Sequence, residues 1–460
     1  MMLPIDTGIF PNKNGVYVVG GALRDVQCGG TPFDYDLVVQ HDPKKYAACL
    51  AANTSGHVVE LGRPGQIMIR VITKYHVFDI TPINGATIEE DLQRRDFTIN
   101  AMALELSSGI LVDPLGGRQD IDTKTIRMVA DDIFRNDSIR LIRAYRLMAM
   151  YEFAIEPLTA AAIRRDIHLI QEAAGERIRE ELFKILQCTE SYRTISQMAA
   201  AAALDGIFPE LRHAQQHNQS VNGAVRDHVA HTLQAYRYLE VMLNSKHHVL
   251  SAITPSHLQN TDRRRTILLK CAMLFLDIGE SLKTKEPADV LHRIYDGNKK
   301  SALVSKYICR RLRFSRYETD FIEFLIRNQS RLLFLFHAQQ KKTSVQRAII
   351  RLFLKCSDKT PDLLVFALAK MAGSQGTDRN EKAEFKEFVL KLLHDYYSVF
   401  RLRMSAAPLL TGNDLVSEFD LTPSPLFRRV LSQVKEEQLL NPKMTRREAI
   451  QLVEVFLKKL

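Results

Sequence analysis

The sequence predicts an α+β protein: a mixed β-sheet with a few helices at the N-terminus, followed by an all-α array. Three observations predict it. Over the first 130 residues, short β-branched runs (Val16 to Val19, Leu37 to Val39, Ile67 to Ile72, Val77 to Ile80, Ile110 to Val112) alternate with glycines and turn residues. From Asp132 onward apolar residues recur at helical spacing, as in Ser138 to Met150, Ile178 to Gln187, His228 to Met242, Thr266 to Asp277 and Leu303 to Leu312. The chain has 460 residues, 46% of them hydrophobic, enough for roughly three units with cores of their own.

In chain order, the first strand, Val16 to Val19, runs into Gly20-Gly21 and then a helix, Ala22-Leu23-Arg24-Asp25. Such a turn gathers backbone N–H groups and a positive helix end at one place, which suits a triphosphate, with Gly20, Gly21 and Arg24 as the candidates. Phe33-Asp34-Tyr35-Asp36-Leu37-Val38-Val39 follows as a strand. Side chains alternate along it, so Asp34 and Asp36 project from one face and can share a hard divalent cation. Val77-Phe78-Asp79-Ile80 reads as another strand, whose Asp79 adds a third carboxylate. Acids set among apolar residues are costly unless paired with cations, which makes a metal the economical explanation. In Glu89 to Ala103, Arg94-Arg95-Asp96 and Asn100 lead into what reads as an apolar helix. Arg95, Asp96 and Asn100 can meet ribose hydroxyls and phosphate oxygens. Asp113-Pro114-Leu115-Gly116-Gly117 reads as a flexible turn able to hinge sheet on helices.

Composition narrows the partners. Lys plus Arg number 63 against 53 Asp plus Glu, a net charge of +10, which favours a polyanion through counterion release. The six cysteines lie far apart with no CxxC pair, which argues against a zinc finger and fits a reducing, cytoplasmic setting. No apolar stretch approaches the roughly 18 to 20 residues that cross a bilayer, so no membrane partner is expected. Boundaries are expected near Glu156-Pro157, His213 to Asn222, Pro255 to Asp262 and Ala372 to Asn380.

In their order and spacing, GGALRD with Asp34-Tyr35-Asp36, then RRDFTINAMA (94–103) and DPLGG (113–117), closely resemble the class II nucleotidyltransferases: CCA-adding enzymes, their CC-adding and A-adding relatives, and bacterial poly(A) polymerases. The resemblance implies a catalytic head over 1–130, a nucleotide-selecting neck over 131–212, a body over 213–372 and an RNA-binding tail over 373–460. It implies template-independent addition of C and/or A to the 3′ end of tRNA from CTP and ATP, with release of pyrophosphate. Mg²⁺ on Asp34 and Asp36, with Asp79 beside them, is the implied cofactor. A-addition or poly(A) synthesis is the alternative within the class, and a non-catalytic RNA-binding relative stands behind both.

The family's neck motif, Glu-Asp-x-x-Arg, corresponds to Asn136-Asp137-Ser138-Ile139-Arg140, with Asn136 in place of the usual Glu. Three positions apart on a helix, Asp137 and Arg140 would share a face and meet the Watson–Crick edge of a base. Arg143 and Arg146 would continue that face toward the triphosphate. Glu176-Arg177-Ile178-Arg179-Glu180-Glu181 resembles a further family element, and its charge spacing suggests support of a helix start, away from the active site.

The middle of the chain resembles a metal-dependent His-Asp phosphohydrolase in degraded form, since Leu276 stands where the histidine of the Leu276-Asp277 pair would be. His228, His231 and Asp277 are therefore expected to be structural. Lys299, Lys300, Lys306, Arg310, Arg311, Arg313 and Arg316 form a basic run with Tyr307 and Phe314 interleaved, and the first six are candidates for RNA phosphates. Only Thr81 to Gln93 separate Asp79-Ile80 from Arg94. Loss of a longer loop here is a feature of relatives that stop after CC, so CC-addition stands beside full CCA-addition.

Overall fold

The computed structural model describes residues 2–61, 68–211, 228–244, 263–279, 290–374 and 376–458. They fall into two compact units, Met1–Ile207 and Phe208–Leu460. The expected boundaries at 213–222 and 255–262 lie outside the described residues.

The first unit is built on a seven-stranded sheet in the order β3-β4-β5-β2-β1-β6-β7. Its strands are β1 (Val16–Val19), β2 (Asp34–Val39), β3 (His57–Leu61), β4 (Met68–Ile72), β5 (Val77–Pro82), β6 (Ala103–Glu105) and β7 (Leu111–Val112). β2 and β5 pair in parallel and the other neighbours are antiparallel. Two short helices follow directly from this sheet: α1 (Gly21–Gln27) after β1 and α2 (Pro43–Thr54) after β2. The second is started by Asp42, whose carboxylate accepts from the N–H groups of Lys44 and Lys45, with Pro43 in the first turn. α3 (Ile88–Gln93) closes one face, where Ile88 and Leu92 pack with Tyr17, Val19 and Val38. That apolar patch stops at Val38, and the same face continues through Asp36 and Asp34.

Two strands were not legible. β3 is exposed along nearly its whole length, so it carries no alternation to read. β6 replaces the helix expected after Asn100: Thr98–Asn100 is a single 3₁₀ turn, after which Ala103 and Leu104 pair with Val19 and Val18. Small apolar residues suit helix and buried strand alike, and pairing with β1 and β7 decides it. The expected hinge is braced. Asp113 accepts from the N–H groups of Gly117 and Arg118, and a Cβ on Gly117 would meet the Thr98 carbonyl at 2.3 Å.

Helices then take over: α4 (Gly117–Asp122), α5 (Ile133–Asn136), α6 (Arg140–Tyr151), α7 (Pro157–Asp166), α8 (Gly175–Gln187), α9 (Ser191–Ala200) and α10 (Ala203–Ile207), with one two-residue strand pair, Thr125–Ile126 and Ala154–Ile155, among them. At Glu156-Pro157 a helix starts, with the Glu156 carboxylate capping Thr159.

The described residues of the second unit hold helices and no strand. The helices used below are α11 (His228–Asn244), α12 (Arg263–Leu274), α13 (Val290–Arg311), α14 (Arg316–Asn328), α15 (Arg331–Gln340), α16 (Gln346–Cys356) and α17 (Thr360–Gly373). α17 is buried along most of its length, and Gly373 lets its end approach α11 so closely that a Cβ would lie 2.4 Å from the Ala235 nitrogen. A separate cluster of Leu410, Leu415, Val430, Val434, Ala449 and Val453 holds the last helices together. No described helix is long and apolar enough to cross a membrane.

Candidate active site

The carboxylates meet as strand registry requires. Asp36 lies opposite Val19 of β1 on one side and Asp79 of β5 on the other, so Asp34, Asp36 and Asp79 share one face. Tyr35, on the opposite face, is fully buried and stacks on Phe78 with ring centroids 5.7 Å apart. The Asp36 carboxylate stays open to solvent on one side. Burial in the protein around it pushes its pKa up, and the charges of Asp79 and Asp34 add to this against the opposing Arg95 and Arg143. Asp79 also receives a bidentate pair from Arg70 of β4, at 2.7 and 2.8 Å. Among the described residues no group of three His, Cys, Asp or Glu side chains converges as a metal cluster. Two carboxylates suffice for Mg²⁺, which takes its remaining ligands from water and substrate phosphates. A carboxylate disfavoured in its charged form by burial and by two neighbouring acids fits such an ion.

The glycine turn lies directly against this face. Gly20 has φ +73 and ψ −135, a region that side chains resist. A Cβ there would stand 3.1 Å from Arg95 Nη1 and 3.2 Å from Asp36 Oδ2. The turn, the carboxylate and the guanidinium therefore form one pocket. Gly20→Ala is expected to cost about 1–3 kcal/mol of stability and to lower nucleotide incorporation by roughly a hundredfold through misplacement of these groups. Thermal melts and incorporation assays on the same preparation check both, and normal activity would show that the turn does not border the reacting centre.

Several sequence candidates do other work. Gly20 N–H is given to the Met102 carbonyl, and α1 is only seven residues long, so little of the expected anion site comes from a helix end. Arg24 does not reach outward: it is 5% exposed, and its guanidinium binds Asp25, Asn100 and the Tyr151 hydroxyl. Asn100 likewise accepts from Arg24 and donates to Asp96. Asp96 is buried and accepts from Phe97 N–H, Asn100 and Arg143 Nη1, the last at 2.9 Å. Burial would raise its pKa, but the Arg143 charge and these hydrogen bonds outweigh it and hold the carboxyl below its ordinary range. Arg95 keeps its place at the pocket while its Nε and Nη2 bind Asp91.

The neck corrects a geometric expectation. Asp137 and Arg140 do not share a helical face, because Asp137 is extended at the end of α5 and α6 begins only at Arg140. Arg140 turns back to the carbonyls of Arg94, Arg95 and Ile133. Asp137 is held instead by Arg177, at 3.0 and 2.8 Å. Arg146 binds Glu181 at 2.6 Å, and Arg143 lies between Asp96 and Glu181. The stretch around Arg177 and Glu181, expected only to support a helix, thus reaches Asp137, Arg143 and Arg146. Its charge pattern was the available signal. Nothing in the sequence marked Arg70 or Tyr151.

In the second unit, Lys299, Arg310 and Arg313 are exposed, Lys300 is half-buried, Lys306 pairs with Glu323 and Arg311 with Glu210. His231 Nδ1 lies 2.6 Å from Asp277, whose other oxygen is 4.0 Å from the Lys370 ammonium. The side chain of His228 lies outside the described residues.

Comparison with known proteins supplies the family. Residues 16–127 match the family described as "Poly A polymerase head domain", and residues 152–215 match "Probable RNA and SrmB- binding site of polymerase A". The chain is 29% identical to the A-adding tRNA nucleotidyltransferase of Deinococcus radiodurans over 95% of each chain. It is 25% identical to the CC-adding tRNA nucleotidyltransferase of Synechocystis, over 94% of this chain and 91% of that one. With the multifunctional CCA protein of Burkholderia pseudomallei it shares 30% identity over 65% of this chain and 70% of the relative. This chain belongs to the tRNA nucleotidyltransferase and poly(A) polymerase family. The nucleotidyltransferase fold extends nearly end to end: a Thermotoga maritima CCA-adding enzyme complexed with tRNA superposes with a TM-score of 0.62 at 20% identity, covering 96% of this chain and 91% of that one. In this nucleotidyltransferase, Asp34, Asp36, Asp79 and Arg95 lie inside the head match, whereas Asp137 to Arg146 fall between the two matched regions.

Proposed function

We propose that this nucleotidyltransferase adds CMP residues to the 3′ end of tRNA from CTP and stops after two, at the site formed by Asp34, Asp36, Gly20 and Arg95. The observation that carries the site is the packing of Gly20 against both Asp36 and Arg95, which puts an anion-attracting group and a cation-attracting group at the ends of one turn. Mg²⁺ held by Asp34 and Asp36 would neutralise charge on the attacking and leaving oxygens. The protein supplies alignment. Arg95, fixed by Asp91, offers Nη1 toward the triphosphate. Asp137, fixed by Arg177, offers an acceptor for the exocyclic amine shared by cytosine and adenine, whereas uracil lacks that donor. Arg70 holds Asp79 in place beside Asp36. The acceptor would be read by A-form shape, 2′-hydroxyls and phosphates, which the diffuse positive charge suits, and the reaction belongs in the cytoplasm.

Stopping at CC is supported by the connection from β5 to α3. It is a tight turn: Asn84 N–H binds Asp91, Ala86 N–H binds Glu90, and Thr87 caps the helix. A-addition is the second reading, favoured by the full-length similarity to the Deinococcus A-adding relative. One experiment separates them: tRNA lacking its last three nucleotides, or only the last, is offered CTP and ATP singly and together. Extension by two with CTP alone, and none of the tRNA ending in CC, is expected. Extension of that second substrate by ATP overturns the CC reading, and no incorporation at all with Mg²⁺ overturns nucleotidyl transfer.

A His-Asp phosphohydrolase is disfavoured by the ammonium of Lys370 beside Asp277 and by Leu276 in the place of a histidine. An apolar side chain and a lysine do not make a transition-metal site. Phosphate release from phosphomonoester or cyclic RNA ends with added Mn²⁺, lost in Asp277→Asn, would reinstate it.

A further inference from the structure

α6 lies along the head by a single stripe. Arg140, Arg143, Leu147 and Tyr151 fall within about 80° of one another at 100° per residue. Each member has a definite partner or place. At the N-terminal end Arg140 donates to the carbonyls of Arg94 and Arg95. One turn on, Arg143 pairs with Asp96. Leu147 is fully buried. At the last position Tyr151 donates its hydroxyl hydrogen to Asp25 at 2.6 Å, accepts from Arg24 Nη2 at 2.8 Å, and carries the Arg24 guanidinium over its ring, 4.5 Å from the centroid.

Both ends of the helix therefore touch the groups that shape the pocket. Arg24 lies beneath the glycine turn, where its Nη2 is 3.2 Å from the position a Gly21 Cβ would take. Through Asn100 it joins Asp96, and Asp96 joins Arg143. The result is a closed ring: helix α6, Tyr151, Arg24, Asn100, Asp96, Arg143, and back to α6. Four of the five N–H donors of Arg24 are engaged within it or on Asp25. Burial pushes the Tyr151 phenol up to about 12, so it stays protonated and keeps both hydrogen-bonding roles at neutral pH.

We propose that Tyr151 is a positioning residue for nucleotidyl transfer, pinning the far end of α6 to Arg24 and Asp25 and so fixing the glycine turn relative to the base-selecting neck. The inference rests on the nucleotidyl-transfer reading of the Asp34–Asp36 site. Tyr151 touches neither carboxylate of that site, so its contribution lies in alignment, where small displacements are costly. A residue that sets alignment without contacting the nucleotide alters turnover more than nucleotide affinity.

The test is steady-state incorporation with the full-length protein, an acceptor tRNA lacking its 3′ CCA, and CTP. Tyr151→Phe keeps the ring and its stacking on Arg24 and removes only the hydroxyl. It is expected to lower kcat about tenfold, with KM for the nucleotide within about twofold and the circular dichroism spectrum unchanged. Asp25→Asn is expected to lower kcat similarly, and the double variant to be little worse than either single one, since both act on the same contact. Unchanged kcat in Tyr151→Phe overturns the proposal, as does additive loss in the double variant or a loss confined to KM. If Tyr151→Phe does not fold, Asp25→Asn alone decides: a fall in kcat at constant KM supports the clamp and normal kcat overturns it. Failure of the wild-type protein to incorporate any nucleotide is a different result, because it removes the underlying assignment rather than the role of Tyr151.

Discussion

Replacing Asp36 by Asn is expected to cut nucleotide incorporation by at least about 10²–10³-fold, the scale seen when one preorganised electrostatic group is removed, while tRNA binding stays within about twofold. Asn has nearly the same shape, so the strand and its pairing with Val19 and Asp79 survive. What is lost is the negative charge that, with Asp34, would hold a divalent cation. The same change should leave the melting temperature unchanged or raise it. Burial and two neighbouring carboxylates push the Asp36 pKa up, meaning that its charged form is disfavoured where it stands, and a neutral amide removes that cost. Activity lost together with stability gained is the signature of a group kept for chemistry rather than folding. Radiolabelled CMP incorporation, filter binding of tRNA and a thermal melt measure the three quantities. Retained incorporation, or a large fall in melting temperature, would contradict the assignment.

Asp96 is the opposite case. Asp96→Ala is expected to destabilise the first unit by about 3–5 kcal/mol, the usual cost of removing one partner from a buried ion pair, because Arg143, Asn100 and the Phe97 N–H lose their shared acceptor. The sign of its pH dependence follows from the direction of the shift. The folded-state pKa lies below the ordinary value, so the stabilisation is complete above the unfolded carboxyl pKa, near 3.9. It is lost as the pH falls through the lower folded value. Wild-type stability should therefore drop on acidification below about pH 4, and the Asp96→Ala variant should show a shallower decline from a lower plateau. Denaturant titrations at neutral pH and along an acid series measure it. Combined with Arg143→Met, the second substitution should cost less in the Asp96→Ala background than alone. Full additivity would mean that the two side chains do not share an interaction.

Particular residues show what the chain discloses by itself. Alternation along β2 puts Asp34 and Asp36 on one face, because residues two apart in a strand have no other option. The glycine pair marked the turn against which they lie, because only glycine adopts the backbone found at Gly20. The switch from β-branched runs to helical spacing located the change from sheet to helices. Donor and acceptor types, however, do not reveal whom they meet. Arg24, Asp96 and Asn100 have the chemistry to bind a nucleotide, yet they are turned inward to one another. Asp137 and Arg140 have the spacing of a helical pair, yet a helix that begins three residues later separates them.

The sequence on its own determined the succession of sheet and then helices, the shared face of the carboxylates and the special turn beside them, all of which follow from local backbone periodicity and sterics. Only the tertiary structure decided which arginine faces the pocket, that Arg177 holds Asp137, and that Tyr151 meets Arg24 and Asp25. Those contacts join residues distant along the chain, and a long, multivalent side chain takes its partner from whatever packing brings within reach.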